Sequence, residues 1–428
     1  MKKLRNIAFV TGMVFVSTVV LFAGGGGQAA TPSGPVTIDF WYCFGGNAQK
    51  ATLELVDRFN EANKGSITVE PSYNGDYITT TAKLLAAIVA GDTPVAVHNN
   101  PNFLPQFTDH YEGLNRYFAR DNSVNESDYV KTFLEVNRIN GEVFGLPFSH
   151  STIVMYYNKD LFRTAGLDPD KPPVTWDDVY EYSKKIHALG PDFYGVNWGT
   201  GTLGWLTRTI IWTFGGKWVA DDNSTLLWTE PASLEAMNFM KKMVDEEVAA
   251  YRSQGSDAFN FSGKVGIWFG STASIGDTIA ATNFDVGVAF FPYKVNRQIS
   301  GGGASLYMMK NSPQAKKDAA WKLITFLTND ESQMLLSKES GYMVMSTKAL
   351  NSQEMRDWWI RDPRYRVTYE QLDYQVYENN TYMIPLEEVR LFLHNAWGNI
   401  FLNNADVATE VRDAQEKGNR VLAEYHKR

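Results

Sequence analysis

The apolar positions of this chain change period several times, and each change marks a predicted element. Residues 36–44 are rich in branched and aromatic side chains (Val36, Ile38, Phe40, Trp41, Tyr42) and follow a turn cluster bounded by Pro32 and Pro35, which predicts a strand. Leu53, Val56, Phe59 and Ala62 then recur at helical spacing over 51–63, and residues 67–70 return to an extended pattern. Leu84, Leu85, Ile88 and Val89 predict a second helix over 80–90, stopped by Gly91 ahead of a strand at 95–97. Strands alternating with helices predict a parallel sheet covered by helices, so the fold class is α/β.

The same reading continues downstream. A strand over 153–157 leads to Asn158, which caps a short helix closing at Gly166. Thr175 precedes the acidic first turn of Asp177 and Asp178 and opens a helix over 176–189. A helical period runs over 233–248, strands fall at 264–268 and 284–291, and helices cover 314–327 and 406–425, the last with Gly418 as its weak point.

Residues 1–30 carry a different pattern. Lys2, Lys3 and Arg5 precede an apolar run over 7–22 and a small-residue stretch over 23–30, which reads as a cleaved secretory signal. The run is short for a membrane span. Glycine stands where a lipid-anchored signal would need cysteine, so a soluble protein, periplasmic or extracellular, is expected.

Composition narrows the function. Among 428 residues, 40 Lys plus Arg face 48 Asp plus Glu for a net charge of −8, which argues against nucleic acid as a partner. The single cysteine, Cys43, lies inside the first strand, where it reads as a small buried residue, and no intramolecular disulfide can form. No two of the six histidines stand four residues apart, so no metal site and no cofactor are expected. Neither a phosphate loop nor a Gly-x-Ser-x-Gly elbow occurs. Gly199, Gly201 and Gly204 match the dinucleotide spacing, with Asp221 and Asp222 downstream. The mid-chain position and the flanking Trp198 and Trp205 favour instead a loop that presents indoles. Carboxylates are abundant, and a glycosidase pair is defined by separation in space rather than in sequence.

A set of polar and aromatic residues stands at predicted turns: Tyr73, Tyr77, Ser151, Trp198, Trp205, Ser271, Thr272, the glycines 301–303 and Tyr342. A polyol needs hydroxyl and amide partners with an aromatic face for its C–H surface. A phosphate prefers backbone N–H groups, hydroxyls and an arginine fork.

The run from Ser151 through Tyr156, Tyr157, Asn158 and Asp160, followed by Gly166, Pro169, Pro172, Pro173, Thr175 and Trp176, resembles the extracellular solute-binding proteins of sugar-type ABC importers. Within them, the chain is most similar to the glycerol-3-phosphate-binding branch, through Asn74, Gly75, Asp76 and Tyr77, through Gly302, Gly303 and Ala304, and through Gly341, Tyr342, Val389 and Arg390. The resemblance spans essentially the whole chain after the signal.

It implies a two-lobed periplasmic-binding-protein fold with a cleft between the lobes: residues 31–148 and 304–341 in lobe 1, and 149–303 and 342–428 in lobe 2. The chain would cross near 148–152, 292–303 and 341–349. Tyr77, Ser151, Ser271, Gly303, Tyr342 and Arg390 would line the cleft, together with a tryptophan matching Trp198 or Trp205. Where that branch carries a glutamate after the third strand, this chain reads His98, Asn99 and Asn100.

The implied function is non-enzymatic: a monomer capturing glycerol-3-phosphate or a related glycerophosphodiester or polyol phosphate for the transmembrane subunits of an ABC permease. The alternatives are a mono- or oligosaccharide receptor and, from another class, a secreted glycoside hydrolase.

Overall fold

The structure, a computed structural model, describes residues 34–199, 203–252, 255–376 and 386–427. The segment read as an export signal lies outside the described residues. Strands β1 (Val36–Tyr42), β2 (Ile67–Tyr73) and β3 (Ala96–Asn99) alternate with helices α1 (Gly46–Ala62) and α2 (Tyr77–Ala90). β1 runs parallel to both β2 and β3, as strands joined by crossover helices must. The fourteen-residue β4 (Gly145–Asn158) is buried along its whole length. Next come helix α3 (Trp176–His187), strand β5 (Tyr194–Gly199), helix α4 (Leu203–Thr213), helix α5 (Pro231–Asp245), and strands β6 (Ala249–Arg252), β7 (Val265–Ser271) and β8 (Val286–Ala289). The long β9 (Ile299–Met308) leads to α6 (Gln314–Leu327), α7 (Asp330–Ser340), the short β10 (Gln375–Val376), α8 (Leu386–Leu402) and α9 (Val407–Tyr425).

Among the described residues these strands order as β2-β1-β3-β9-β4-β7-β5-β6, with β8 also on β4 and β10 on β9. The order explains how two hydrophobic cores share one chain. The first core gathers Ile38, Phe40, Leu55, Val56, Leu146, Phe148, Leu306 and Leu323. The second gathers Ile153, Met155, Trp176, Val196, Trp198, Phe269 and Trp397. β4 contributes Leu146 and Phe148 to one and Ile153 and Met155 to the other, so it passes from core to core within five residues. β9 is antiparallel to β4, and their register shifts between Ala304 and Ser305. The class is α/β with two lobes, as the sequence predicts.

Several boundaries differ from expectation for local reasons. α2 begins at Tyr77 because the Asp76 carboxylate accepts the Thr79 N–H at 2.7 Å and caps the helix three residues early. At α3 the predicted cap holds: Thr175 Oγ1 accepts from the Asp178 N–H at 3.1 Å, and Asp178 returns the bond to the Thr175 N–H at 2.9 Å. α9 continues through Gly418 without a break. The glycine is buried within the helix, and a Cβ there would stand 2.4 Å from Leu226 Cδ1, so the missing side chain permits a close approach.

Candidate ligand-binding site

A cavity of about 400 Å³ lies where the ends of α2, β3, β7 and β9 meet α4 and α8. Tyr77, Ser151, Trp205, Ser271, Gly303, Tyr342 and Arg390 all line it, together with Asp76, Asn100, Asn102, Arg208, Trp218, Ser274, Gly301 and Gly302. Seven of the eight residues singled out from sequence are thus brought together from segments as distant as 77 and 390.

Trp198 is the exception, and the expectation for it is corrected. Its side chain is fully buried in the second core, with its ring stacked on Phe269 at 5.8 Å. The cause is strand parity: β5 extends through Gly199, and a period of two sends Trp198 to the same face as the buried Val196. Trp205 is the cavity tryptophan. Its ring lies 3.3 Å from where a Gly302 Cβ would stand, so the indole covers the bare backbone of β9.

The lining is held from behind. Thr209 and Ser300 hydroxyls bond at 2.6 Å, tying α4 to β9, and the Trp397 Nε1–H donates to Thr207 Oγ1 at 2.9 Å, tying α8 to α4. These bonds fix the helices that carry Trp205, Arg208 and Arg390. Arg208 is buried, with its guanidinium 5.1 Å from the centre of the Trp212 ring. On another wall, Ser271 Oγ accepts the Ala273 N–H at 3.1 Å, and Asn100 Oδ1 accepts the Asn102 N–H at 2.8 Å.

Behind Tyr77 and Tyr342 runs a buried chain of polar groups. The two phenols bond to each other, and Tyr342 also bonds to Ser149. Ser149 Oγ lies 2.6 Å from His98 Nε2, and Cys43 Sγ lies 3.2 Å from His98 Nδ1. Burial pushes the Tyr342 phenol up to about 12, raises Tyr77 and Cys43, and pulls His98 and His150 down to about 3. Every member of this chain is therefore neutral at physiological pH. The cavity's fixed charges come from Asp76, Arg208 and Arg390.

Asp76, Asn102, Arg208 and Trp218 were not anticipated as site residues. Two signals were present: Asp76 directly precedes Tyr77, and Arg208 stands one helical turn beyond Trp205. Nothing in the local pattern marks Asn102 or Trp218.

Two lobes that share crossing strands and enclose a polar and aromatic cavity define a solute-binding protein. The bacterial extracellular solute-binding protein family matches residues 45–334, and the chain belongs to it. A sn-glycerol-3-phosphate-binding periplasmic protein, UgpB of Salmonella paratyphi A, is 23% identical over 417 residues, covering 91% of this chain and 93% of its own. The crystal structure of UgpB from Mycobacterium tuberculosis in complex with glycerophosphocholine superposes with a TM-score of 0.81 at 26% identity, covering 92% and 99% of the two chains. The cyclic α-maltosyl-1,6-maltose binding protein of Arthrobacter globiformis, at 23% identity, a TM-score of 0.76 and coverage of 91% and 99%, shares the fold. No helix among the described residues is long and apolar enough to cross a membrane.

Proposed function

We propose that this protein captures a glycerol-phosphate compound, glycerol-3-phosphate or a glycerophosphodiester, and delivers it without chemical change to the membrane permease of an ABC importer. The observation that carries the reading is the convergence of Arg208 and Arg390 with the hydroxyl-bearing Tyr77, Ser151 and Ser271 on one cavity. Guanidinium forks and hydroxyls are the donors a phosphate needs, and Trp205 offers a flat face to the carbon skeleton. A neutral saccharide would use the same hydroxyls and the same indole but has no need of two cations. The likeness to glycerol-3-phosphate-binding proteins supports the phosphate reading.

The lobes we propose are residues 31–148 with 304–341, and 149–303 with 342–428. Residues 1–30 are the export signal, cleaved on the way to the periplasm or the exterior, and the mature protein acts as a monomer. The hinge lies where β4 and β9 pass between the cores, near the register shift at Ala304 and Ser305. A solute touching both lobes favours their closure through its differential contacts.

Intrinsic fluorescence tests the reading. Titration with glycerol-3-phosphate or a glycerophosphodiester is expected to quench or shift tryptophan emission, because Trp205 lines the cavity. Trp205→Ala should remove most of that signal and weaken binding by roughly fivefold, corresponding to about 1 kcal/mol for a lost aromatic contact. A response to maltose with none to the phosphate compounds would replace this reading with the saccharide receptor.

A further inference from the structure

Helix α2 is apolar on its outward face, and nothing within the chain covers that face. Its buried residues are Thr80, Thr81 and Leu84. On the opposite side Ile78, Ala82, Leu85, Ala86 and Val89 recur at helical spacing and fall within an arc of about 100°. All five are exposed, Val89 at 90% and Ile78 and Leu85 at 46% and 42%. A surface helix normally turns such a stripe toward the core, whereas here two threonines take the inward place. Single exposed apolar residues are ordinary, but a contiguous stripe marks an interaction surface. Ile78 belongs to this stripe and also lines the cavity. The stripe therefore starts at the cavity and runs along the helix to Val89, about 16 Å at about 1.5 Å per residue.

We propose that this face of α2 docks on the transmembrane subunits of the importer, and that the segment it meets there is aliphatic and uncharged. The inference rests on the delivery step of the reading above and not on the identity of the solute. Three observations select this occupant. First, the stripe is continuous with the cavity through Ile78, so a partner seated on it stands beside the site that the solute must leave. Second, the stripe is small. Its length times the roughly 10 Å width of a helix gives on the order of 160 Å², against about 800 Å² per partner in a stable complex. A second copy of the chain would not stay bound through it alone, whereas a receptor that docks and departs with each solute needs only a brief contact. Third, Lys83 is the one charged residue of α2 and the chain carries a net charge of −8, which leaves little to attract an anionic lipid surface.

The test places the photo-crosslinker benzoylphenylalanine at Val89 of the full chain, in cells that express its importer, with Glu61 as the control position. Glu61 is exposed on α1, which packs with Ala96 while α2 packs with Val97, so the two helices cover opposite faces of the sheet. Illumination is expected to give an adduct with a transmembrane subunit of an ABC importer, identified by mass spectrometry, from position 89 and not from position 61. The double variant Leu85→Glu, Val89→Glu should keep the solute affinity and melting temperature of the wild type, since neither residue lines the cavity. Its uptake of glycerol-3-phosphate or a glycerophosphodiester by those cells should fall roughly tenfold or more, because an unpaired carboxylate would be buried against an apolar partner. An adduct with a second copy of the chain, no adduct with an importer subunit, or equal adducts from both positions overturns the inference. Unchanged uptake by the double variant overturns it as well. If the wild type takes up neither solute, the phosphate reading falls, and the crosslink still decides the docking face.

Discussion

Replacing Arg390 by alanine is expected to reduce affinity for a phosphorylated solute by roughly 30- to 5000-fold, because truncating one partner of a desolvated charge pair costs about 2 to 5 kcal/mol. The residue lies within α8, where alanine is the best helix former, and Trp397 continues to anchor that helix on Thr207, so circular dichroism should be unchanged. Arg390→Lys should recover only part of the loss, since an ammonium keeps the charge but lacks the planar fork that meets two phosphate oxygens. A neutral saccharide would lose at most the strength of one hydrogen bond to a charged donor, about 1.5 to 3 kcal/mol. Calorimetry with each variant separates these cases, and tight phosphate binding by the alanine variant would remove Arg390 from the site.

The second large effect is expected at Gly303, through the fold rather than through the solute. Its φ of +116° is a conformation that side-chain-bearing residues rarely adopt, and a Cβ there would stand 2.0 Å from the Ser149 carbonyl oxygen on β4. The obstruction is backbone of the neighbouring strand, so it cannot be relieved by a rotamer change. Gly303→Ala should therefore cost about 3 kcal/mol or more of unfolding free energy, measured by denaturant titration. The adjacent Gly302→Ala provides the contrast. Its Cβ would meet the Trp205 indole at 3.3 Å, so a small ring shift accommodates it and stability should hold while solute affinity changes. Equal stability of the two variants would contradict the distinction.

The elements of the first lobe were legible because the apolar period is clear there: strand-like alternation at 36–42 and a helical recurrence through Val56 and Phe59, both buried on α1, leave little choice, although the stripe's inner leucine is Leu55 rather than the Leu53 read from spacing. Trp198 misled because tryptophan beside a glycine-rich stretch suggests a loop, whereas β5 runs on to Gly199 and buries the indole. The arginines show another limit. Arg390 followed from resemblance, but Arg208 reaches the cavity only because α4 is tied to β9 and α8, which is tertiary information. Asp76 entered the sequence reading only as part of the motif ahead of Tyr77, and its capping of α2 three residues before the predicted start was missed. That the same carboxylate also lines the cavity depends on the packing of α2 against β3, Tyr77 sharing a cluster with Val97.

The central claim is that a phosphate held by arginines sits between the two lobes. A crystal structure of the protein grown with glycerophosphoethanolamine tests it most directly. The account predicts phosphate oxygens within hydrogen-bonding distance of the Arg390 and Arg208 guanidiniums, the glycerol carbons against Trp205, and contacts from the same molecule to Tyr77 on α2. A phosphate facing solvent with both arginines turned away, or a solute held by one lobe alone, would contradict it.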